Sequence, residues 1–505
     1  MIKGKAQNRH NWLLYSLLTA LVLTPMIVKL ACYPAYPGSD DAFIHLTVAR
    51  NFADGQGWGI NSGEPVNLST SPLFTLFLTL STLCGLDALA VGKAFSLLFS
   101  TLSLLLLYLV LSNVTKSTIL RLSGLVLGAF DVHLWRWNGV VMETSMALLF
   151  VYLVFYLYYR QRKPTSAWGL YFVLGLTIGL ASLVRFELAI LLGCVFVDLF
   201  FNNKENRARQ AAILCAGVLV AVVPWYAFSY SYFGSLLPTT FYAKTSDLQW
   251  INVKIVRQIG AVVLSAYGLP LVAAMVLVVC AFRRGIGRDV FRSFRLYLAI
   301  ILFPVLLCAF YYLKTEGLQS PSRYTIPALA AIPIICVIVA EVSRERMNLP
   351  YFRAATLLIV GFSVSLALSL NQIVVAPTLR SFEDNYWATM RNATSFLAKH
   401  TSSTDVVLVE VDIGVLSYSG NGQFEIADGG GLASPELQDL SVSQQIAASH
   451  PKYVVESQGQ VRGSLAKRTP QLKLVHYRQY KSHGTQNPYE QYFCNIYSLE
   501  PASQE

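Results

Sequence analysis

Asp40 and Asp41 are adjacent carboxylates in the polar stretch Ser39-Asp40-Asp41-Ala42-Phe43-Ile44-His45, directly after the first long apolar run of the chain. Desolvating such a pair raises one of its two pKa values, which supplies a general base for an attacking hydroxyl. Asp41 and His45, four residues apart, share one face of any helix that starts here. Ser39 can cap that helix, both aspartates then occupy its first turn where the dipole favours anions, and Gly55 can end it. On that reading the doublet is a helix start and no more. One carboxylate would suffice for it, and the second favours chemistry.

Other polar groups recur at intervals. Gly55-Gln56-Gly57-Trp58-Gly59 and Asn67-Leu68-Ser69-Thr70-Ser71-Pro72 combine tight turns with N–H and hydroxyl donors. That surface suits a sugar, with Ser71 as a donor, and equally suits a plain loop ending where Pro72 opens a helix. Glu143 opens an apolar segment, either as helix-start charge or as an acid holding an acceptor hydroxyl. Arg185 and Glu187 put opposite charges between two apolar segments, where an internal salt bridge competes with phosphate binding by Arg185. In the segment from Tyr232 to Lys244, Tyr242 is a candidate sugar contact and Lys244 a point charge for phosphate, although interfacial aromatics need no such role. Arg323 either snorkels or binds phosphate. His45 is a structural hydrogen-bonder, a substitute for the aspartate base, or a sugar or acceptor contact. Asp40, Asp41 and Glu143 are the candidate ligands for a divalent cation, and no other cofactor is indicated.

The elements that must position these groups are mostly apolar. Of 505 residues, 54% are hydrophobic and 13% charged, the balance of a polytopic membrane protein. The net charge of +11 is spread over short loops between apolar runs, which marks topology and not a nucleic-acid surface. If every basic loop lies on the cytoplasmic side, crossings between successive loops come in even numbers. That condition selects about eleven spans: 12–32, 88–112, 118–134, 142–159, 166–184, 186–201, 210–230, 259–282, 294–312, 324–341 and 354–372. The first follows Lys3, Lys5 and Arg9 and reads as a retained span, too long for a signal-peptide core. The 72–86 stretch is short and reads as an interfacial helix. The first outer loop then covers 33–87, and residues 1–372 form a transmembrane catalytic module. All the polar groups above fall on its outer side.

Residues 373–505 have ordinary soluble composition and read as a small α/β domain on the outer side. A helix is expected near 381–399 and another over 434–449, with strands at 405–410, 452–456, 471–477 and 491–498. Asp428-Gly429-Gly430-Gly431 is a turn, or a carbohydrate contact. Eight cysteines are scattered, and Cys494, alone in this region, has no partner thiol there, so no disulfide or zinc framework follows. No glycine-rich P-loop follows a strand, so ATP is not indicated as an energy source.

In order along the chain, Asp40-Asp41-Ala42, Ala49-Arg50-Asn51-Phe52-Ala53-Asp54-Gly55-Gln56-Gly57 and Ser71-Pro72-Leu73 resemble the first outer loop of bacterial glycosyltransferases of the C-type (GT-C) fold that use polyprenyl-phosphate sugars. Met142-Glu143-Thr144, Phe233-Gly234-Ser235-Leu236-Leu237-Pro238, Tyr242-Ala243-Lys244 and Val411-Asp412-Ile413-Gly414 are similar to the subgroup that includes mycobacterial terminal arabinofuranosyltransferases. The resemblance implies a GT-C membrane module. It also implies transfer of a monosaccharide from a polyprenyl-phosphate donor to a glycan, lipid or protein acceptor at the outer face of the bacterial inner membrane. An aspartate of the first outer loop, Asp40 or Asp41, would be the catalytic residue. Where that family often has a proline between arginine and acid, this chain has Phe186. Two other readings use the same groups: a flippase or transporter for a lipid-linked sugar, and a polysaccharide polymerase or ligase with a diphosphate-linked donor. Few ionisable residues inside the spans and no internal repeat count against transport.

Overall fold

The computed structural model describes residues 2–499 apart from 34–35, 37, 162–167, 203–205, 245–250, 316, 319, 348, 459–464, 466–468, 470–471 and 482–490. Helix α1 (Ile2–Cys32) leads into α2 (Asp40–Ala53) and α3 (Pro72–Leu83), followed by α4 (Ala88–Val114), α5 (Thr118–Ala129), α6 (Val132–Trp137) and α7 (Thr144–Gln161). Next come α8 (Gly169–Val184), α9 (Ile190–Asn202), α10 (Arg207–Phe233), α11 (Thr239–Lys244), α12 (Val253–Arg283), α13 (Gly287–Leu296) and α14 (Leu298–Lys314). The bundle ends with α15 (Pro321–Leu329), α16 (Ala331–Arg346) and α17 (Phe352–Leu370).

Polar residues punctuate the apolar chain. Asp87, Ser117, Asp131 and Asn252 each accept a hydrogen bond from a first-turn amide and so start α4, α5, α6 and α12. Pro72 sits in the first turn of α3, where a missing N–H costs nothing. Helices α8 and α10 meet through glycine: a Cβ on Gly175 would stand 2.0 Å from the Leu214 carbonyl oxygen, and one on Gly217 2.2 Å from that of Phe172. Such small-residue contacts let two backbones approach where no hydrophobic effect drives association.

Among the described residues, six helical stretches are long and apolar enough to cross a membrane, and seven if α13 and α14, bent by 78°, count as one. Helix length therefore does not reach the expected eleven. Helices α5 and α9, of 12 and 13 residues, measure roughly 18–20 Å against a hydrocarbon core of about 30 Å. The interruptions have local causes. Asp131 caps a new helix inside the expected 118–134 span, and Arg185, in extended conformation, separates α8 from a turn of 3-10 helix over Phe186–Ala189. Helix α3 is also short, as expected for 72–86.

The chain runs on from α17 through a π-helical turn (Asn371–Val375), α18 (Ala376–Ser381), a second π-helical turn (Phe382–Trp387) and α19 (Ala388–His400) without leaving helix. The expected division at 372/373 falls inside this run. Beyond it lie β1 (Val406–Val409), α20 (Ile413–Gly420), β2 (Glu425–Asp428), α21 (Val442–Ser449), β3 (Tyr453–Gln458), β4 (Leu472–Lys481) and β5 (Gln491–Leu499). The sheet order is β2-β1-β3-β5-β4, with β1 parallel to β2 and β3 and β5 antiparallel to β3 and β4. The four expected strands are present. Strand β2 is an addition that sequence did not reveal, and the helix expected over 434–449 is confined to α21, opened by a Ser441–Gln444 capping box.

Candidate active site

Helix α2 begins at Asp40 and ends before Gly55, whose φ of +73° suits a residue without a side chain. Ser39 occupies the N-cap position, but its hydroxyl makes no capping bond and lies instead 4.0 Å from the Met142 sulfur. The two aspartates point different ways.

Asp41, with a third of its side chain exposed, accepts a 2.5 Å hydrogen bond from Arg323 Nη1. Arg323 is buried and donates from Nη2 to both Glu143 oxygens at 3.1 and 3.3 Å, and from Nε to Oε1 at 3.3 Å. Arg185 Nη1 reaches the same Glu143 Oε1 at 2.5 Å, and its Nε donates to Glu187 Oε1 at 2.7 Å. Tyr311 donates to that Glu187 oxygen at 2.5 Å, and the Tyr324 ring lies 4.9 Å from the Arg185 guanidinium. The result is a chain of alternating charge, Asp41–Arg323–Glu143–Arg185–Glu187, buried except at Asp41. Burying these ions in isolation would be expensive, and the multiple charge-assisted bonds offset that cost.

His45 lies one turn beyond Asp41 on the same face, as the spacing predicted. Its Nε2 is 3.9 Å from Glu143 Oε2, and its Nδ1 is 2.8 Å from Thr75 Oγ1. Ser69 joins Thr75 at 2.7 Å. Ser71, expected to face a sugar, is fully buried, and its hydroxyl has no hydrogen-bond partner among the described residues. The glycine-rich turn is likewise engaged internally: Asn51 donates to the Gly59 and Ile60 carbonyls, and Trp58 is buried. Tyr242 and Lys244 fall in α11, and their side chains lie outside the described residues. Among the described residues no group of three or more His, Cys, Asp or Glu could hold a metal ion. Asp41 and Glu143 are already bridged by a cation, Arg323.

Asp40 faces the C-terminal sheet unit. It accepts from the backbone N–H groups of Gly414 and Val415, both at 2.8 Å, and from the Tyr386 hydroxyl at 2.9 Å. Those amides belong to the first turn of α20, so Asp40 caps a helix whose first bonded amide is 374 residues away in sequence. A Cβ on Gly414 would stand 2.2 Å from the Asp40 carbonyl oxygen, which is why glycine is needed there. Asp412, held at φ +64°, precedes that turn and accepts from Tyr492 and from Ser457. Burial first, then the Asp412 carboxyl, push the Asp40 acid up to about 8 against the pull of the two amides. Burial also raises Asp412. The seam continues with Arg50 on the Tyr418 carbonyl at 2.9 Å and with Asn61, which exchanges two hydrogen bonds with the Ile426 backbone on the free edge of β2. No local sequence pattern ties Tyr386 or Tyr311 to residues 40–41, and Asp412 is marked only by the Val411-Asp412-Ile413-Gly414 motif.

Known structures share this fold. ArnT from Cupriavidus metallidurans, bound to undecaprenyl phosphate, superposes with a TM-score of 0.59 at 11% identity, covering 96% of this chain and 97% of that one. The Archaeoglobus fulgidus oligosaccharyltransferase tethered to an acceptor peptide gives 0.54 at 11% identity, over 97% of this chain and 74% of that one. AglB from the same organism, in complex with an inhibitory peptide and a dolichol-phosphate, gives 0.54 at 13% identity over 88% and 69%. No family model and no curated protein sequence matches the chain. The likeness therefore rests on the path of the chain, and it is the GT-C fold that the resemblance implied.

Proposed function

We propose that the protein is a membrane glycosyltransferase that transfers a monosaccharide from a polyprenyl-phosphate donor to a cell-envelope acceptor on the outer face of the inner membrane, with residues 373–505 on that side. The observation that carries the reading is the half-open ion pair: an accessible Asp41 carboxylate on an Arg323 whose remaining contacts lie in the protein interior. The shared fold with proteins solved with undecaprenyl phosphate, dolichol-phosphate and an acceptor peptide supports it.

In this mechanism the donor phosphate approaches Arg323 and replaces the Asp41 carboxylate there. Asp41, released, takes the proton of the acceptor hydroxyl as its oxygen attacks the anomeric carbon. The bond from that carbon to the phosphate oxygen breaks, and polyprenyl phosphate leaves with its added negative charge facing the Arg323 guanidinium. Glu143 and Arg185 keep Arg323 in place. Lys244 is a further candidate for the phosphate, and His45 for the acceptor. Asp40 positions α2, and with it Asp41, through its bonds to α20.

The test is release of polyprenyl phosphate from a panel of polyprenyl-phosphate monosaccharides by purified protein given a crude acceptor extract. Wild type should turn over one donor, and Asp41→Asn should bind that donor without turnover. Unchanged turnover in Asp41→Asn removes this carboxylate from the mechanism.

A further inference from the structure

At the far end of the bundle from Asp41 lies a cavity of about 830 Å³, formed where α4 turns into α5 and α16 into α17. From Arg323 to Arg344 the chain climbs α15 and α16, roughly 30 Å at 1.5 Å per residue, so the two sites are about one hydrocarbon thickness apart. The cavity's polar lining comes from Lys116, Ser117, Thr118, Arg344, Tyr351 and Arg353, and apolar atoms of Leu349 and Phe352 complete it. Arg344 is neutralised by two hydrogen bonds to Glu341 on its own helix, at 2.8 and 3.0 Å. Lys116 and Arg353 are exposed, and neither meets a carboxylate among the described residues.

Two helices also begin at this cavity. The 12-residue α5 starts at Thr118 and the 19-residue α17 at Phe352, so the positive ends of both point at the same space. The first-turn amides of α17 receive no side-chain cap, because Tyr351 holds the N-cap position at φ +60° with its ring 84% exposed. An uncapped helix start is the ordinary place for an oxyanion.

We propose that this cavity binds the phosphodiester of an anionic phospholipid headgroup at the membrane face opposite the candidate active site. Lys116 and Arg353 contact the phosphate oxygens, the α5 and α17 starts supply the field, and the apolar lining takes the first carbons of the lipid. The mixed lining favours a lipid over free phosphate, which has no use for Leu349 and Phe352. An exposed aromatic at the rim fits an interface, and basic pockets between helices at this depth are suited to anionic headgroups. The proposal is independent of the catalytic reading.

The full-length protein, in phosphatidylcholine nanodiscs with increasing phosphatidylglycerol, would be followed by thermal shift, and lipid retained in detergent counted by native mass spectrometry. Phosphatidylglycerol should raise the melting temperature and remain bound. Lys116→Gln and Arg353→Gln should each weaken retention roughly tenfold, the loss expected for one charge-assisted hydrogen bond. Lys116→Arg should retain it. Arg207→Gln/Arg292→Gln, which removes two exposed cations at the same end of the bundle, should leave it intact. Equal effects of the two lipids, or equal loss in that control, would overturn the site and leave only general attraction of basic loops to an anionic membrane. Full competition by inorganic phosphate would overturn the lipid assignment in favour of a free-phosphate site.

Discussion

Two neighbouring carboxylates open onto two differently built regions. On the Asp41 side, three acids alternate with two guanidinium groups contributed by helix ends spread from residue 41 to residue 323. On the Asp40 side the donors are backbone amides and a phenol, with no cation among the contacts described. The first arrangement sets every acid against a guanidinium and holds a charge where a substrate can reach it. The second tolerates, and even favours, a neutral acid, and serves to dock the sheet unit on the first loop. Adjacent residues of one type thus come to do different work because a helix sends successive side chains about 100° apart.

Four outcomes would sharpen or break this contrast. The largest is expected at Asp41. Asp41→Asn should lower turnover by about 10²–10⁴-fold, the usual worth of a general base, with little change in melting temperature; equal damage to both would make Asp41 a structural residue. Glu143→Ala should instead destabilise the fold by about 3–5 kcal/mol, since it removes the buried carboxylate shared by two guanidinium groups, and calorimetry in detergent would register it. Gly414→Ala forces a methyl group against the Asp40 backbone and should cost roughly 1–3 kcal/mol, read as faster proteolysis of the segment beyond residue 400. The smallest effect concerns pH. With its folded pKa above the ordinary 3.8, Asp40 holds a proton in the native state that the unfolded chain has lost. Its contribution is complete below about 3.8 and declines as pH rises through about 8. Asp40→Asn should flatten this slope in melting temperature, and an unchanged slope would place the titration elsewhere.

Much of the bundle is legible because apolar runs bounded by capping residues report helices directly. So are α2, with its start at Asp40 and stop at Gly55, and the shared face of Asp41 and His45. The eleven crossings were not readable in the same way, since hydropathy shows where a segment is apolar but not where Asp131 or Arg185 breaks it. Strand β2 was hidden for a similar reason: four residues beside a glycine turn carry too little periodicity to stand out. Ser71 is buried, and in sequence a small polar residue looks the same whether it lines a site or fills a core.

By itself the sequence determined a membrane-spanning helical chain with a C-terminal α/β unit, and it singled out Asp41, Glu143, Arg185 and Arg323. Only the tertiary structure decided that these four form one ion-pair chain, that Asp40 turns away to cap α20, and that Lys116 and Arg353 share a cavity. The physical reason is range. Propensity, capping and periodicity act over a few residues, whereas the pairing of Asp41 with Arg323 depends on how whole helices pack and where each one ends.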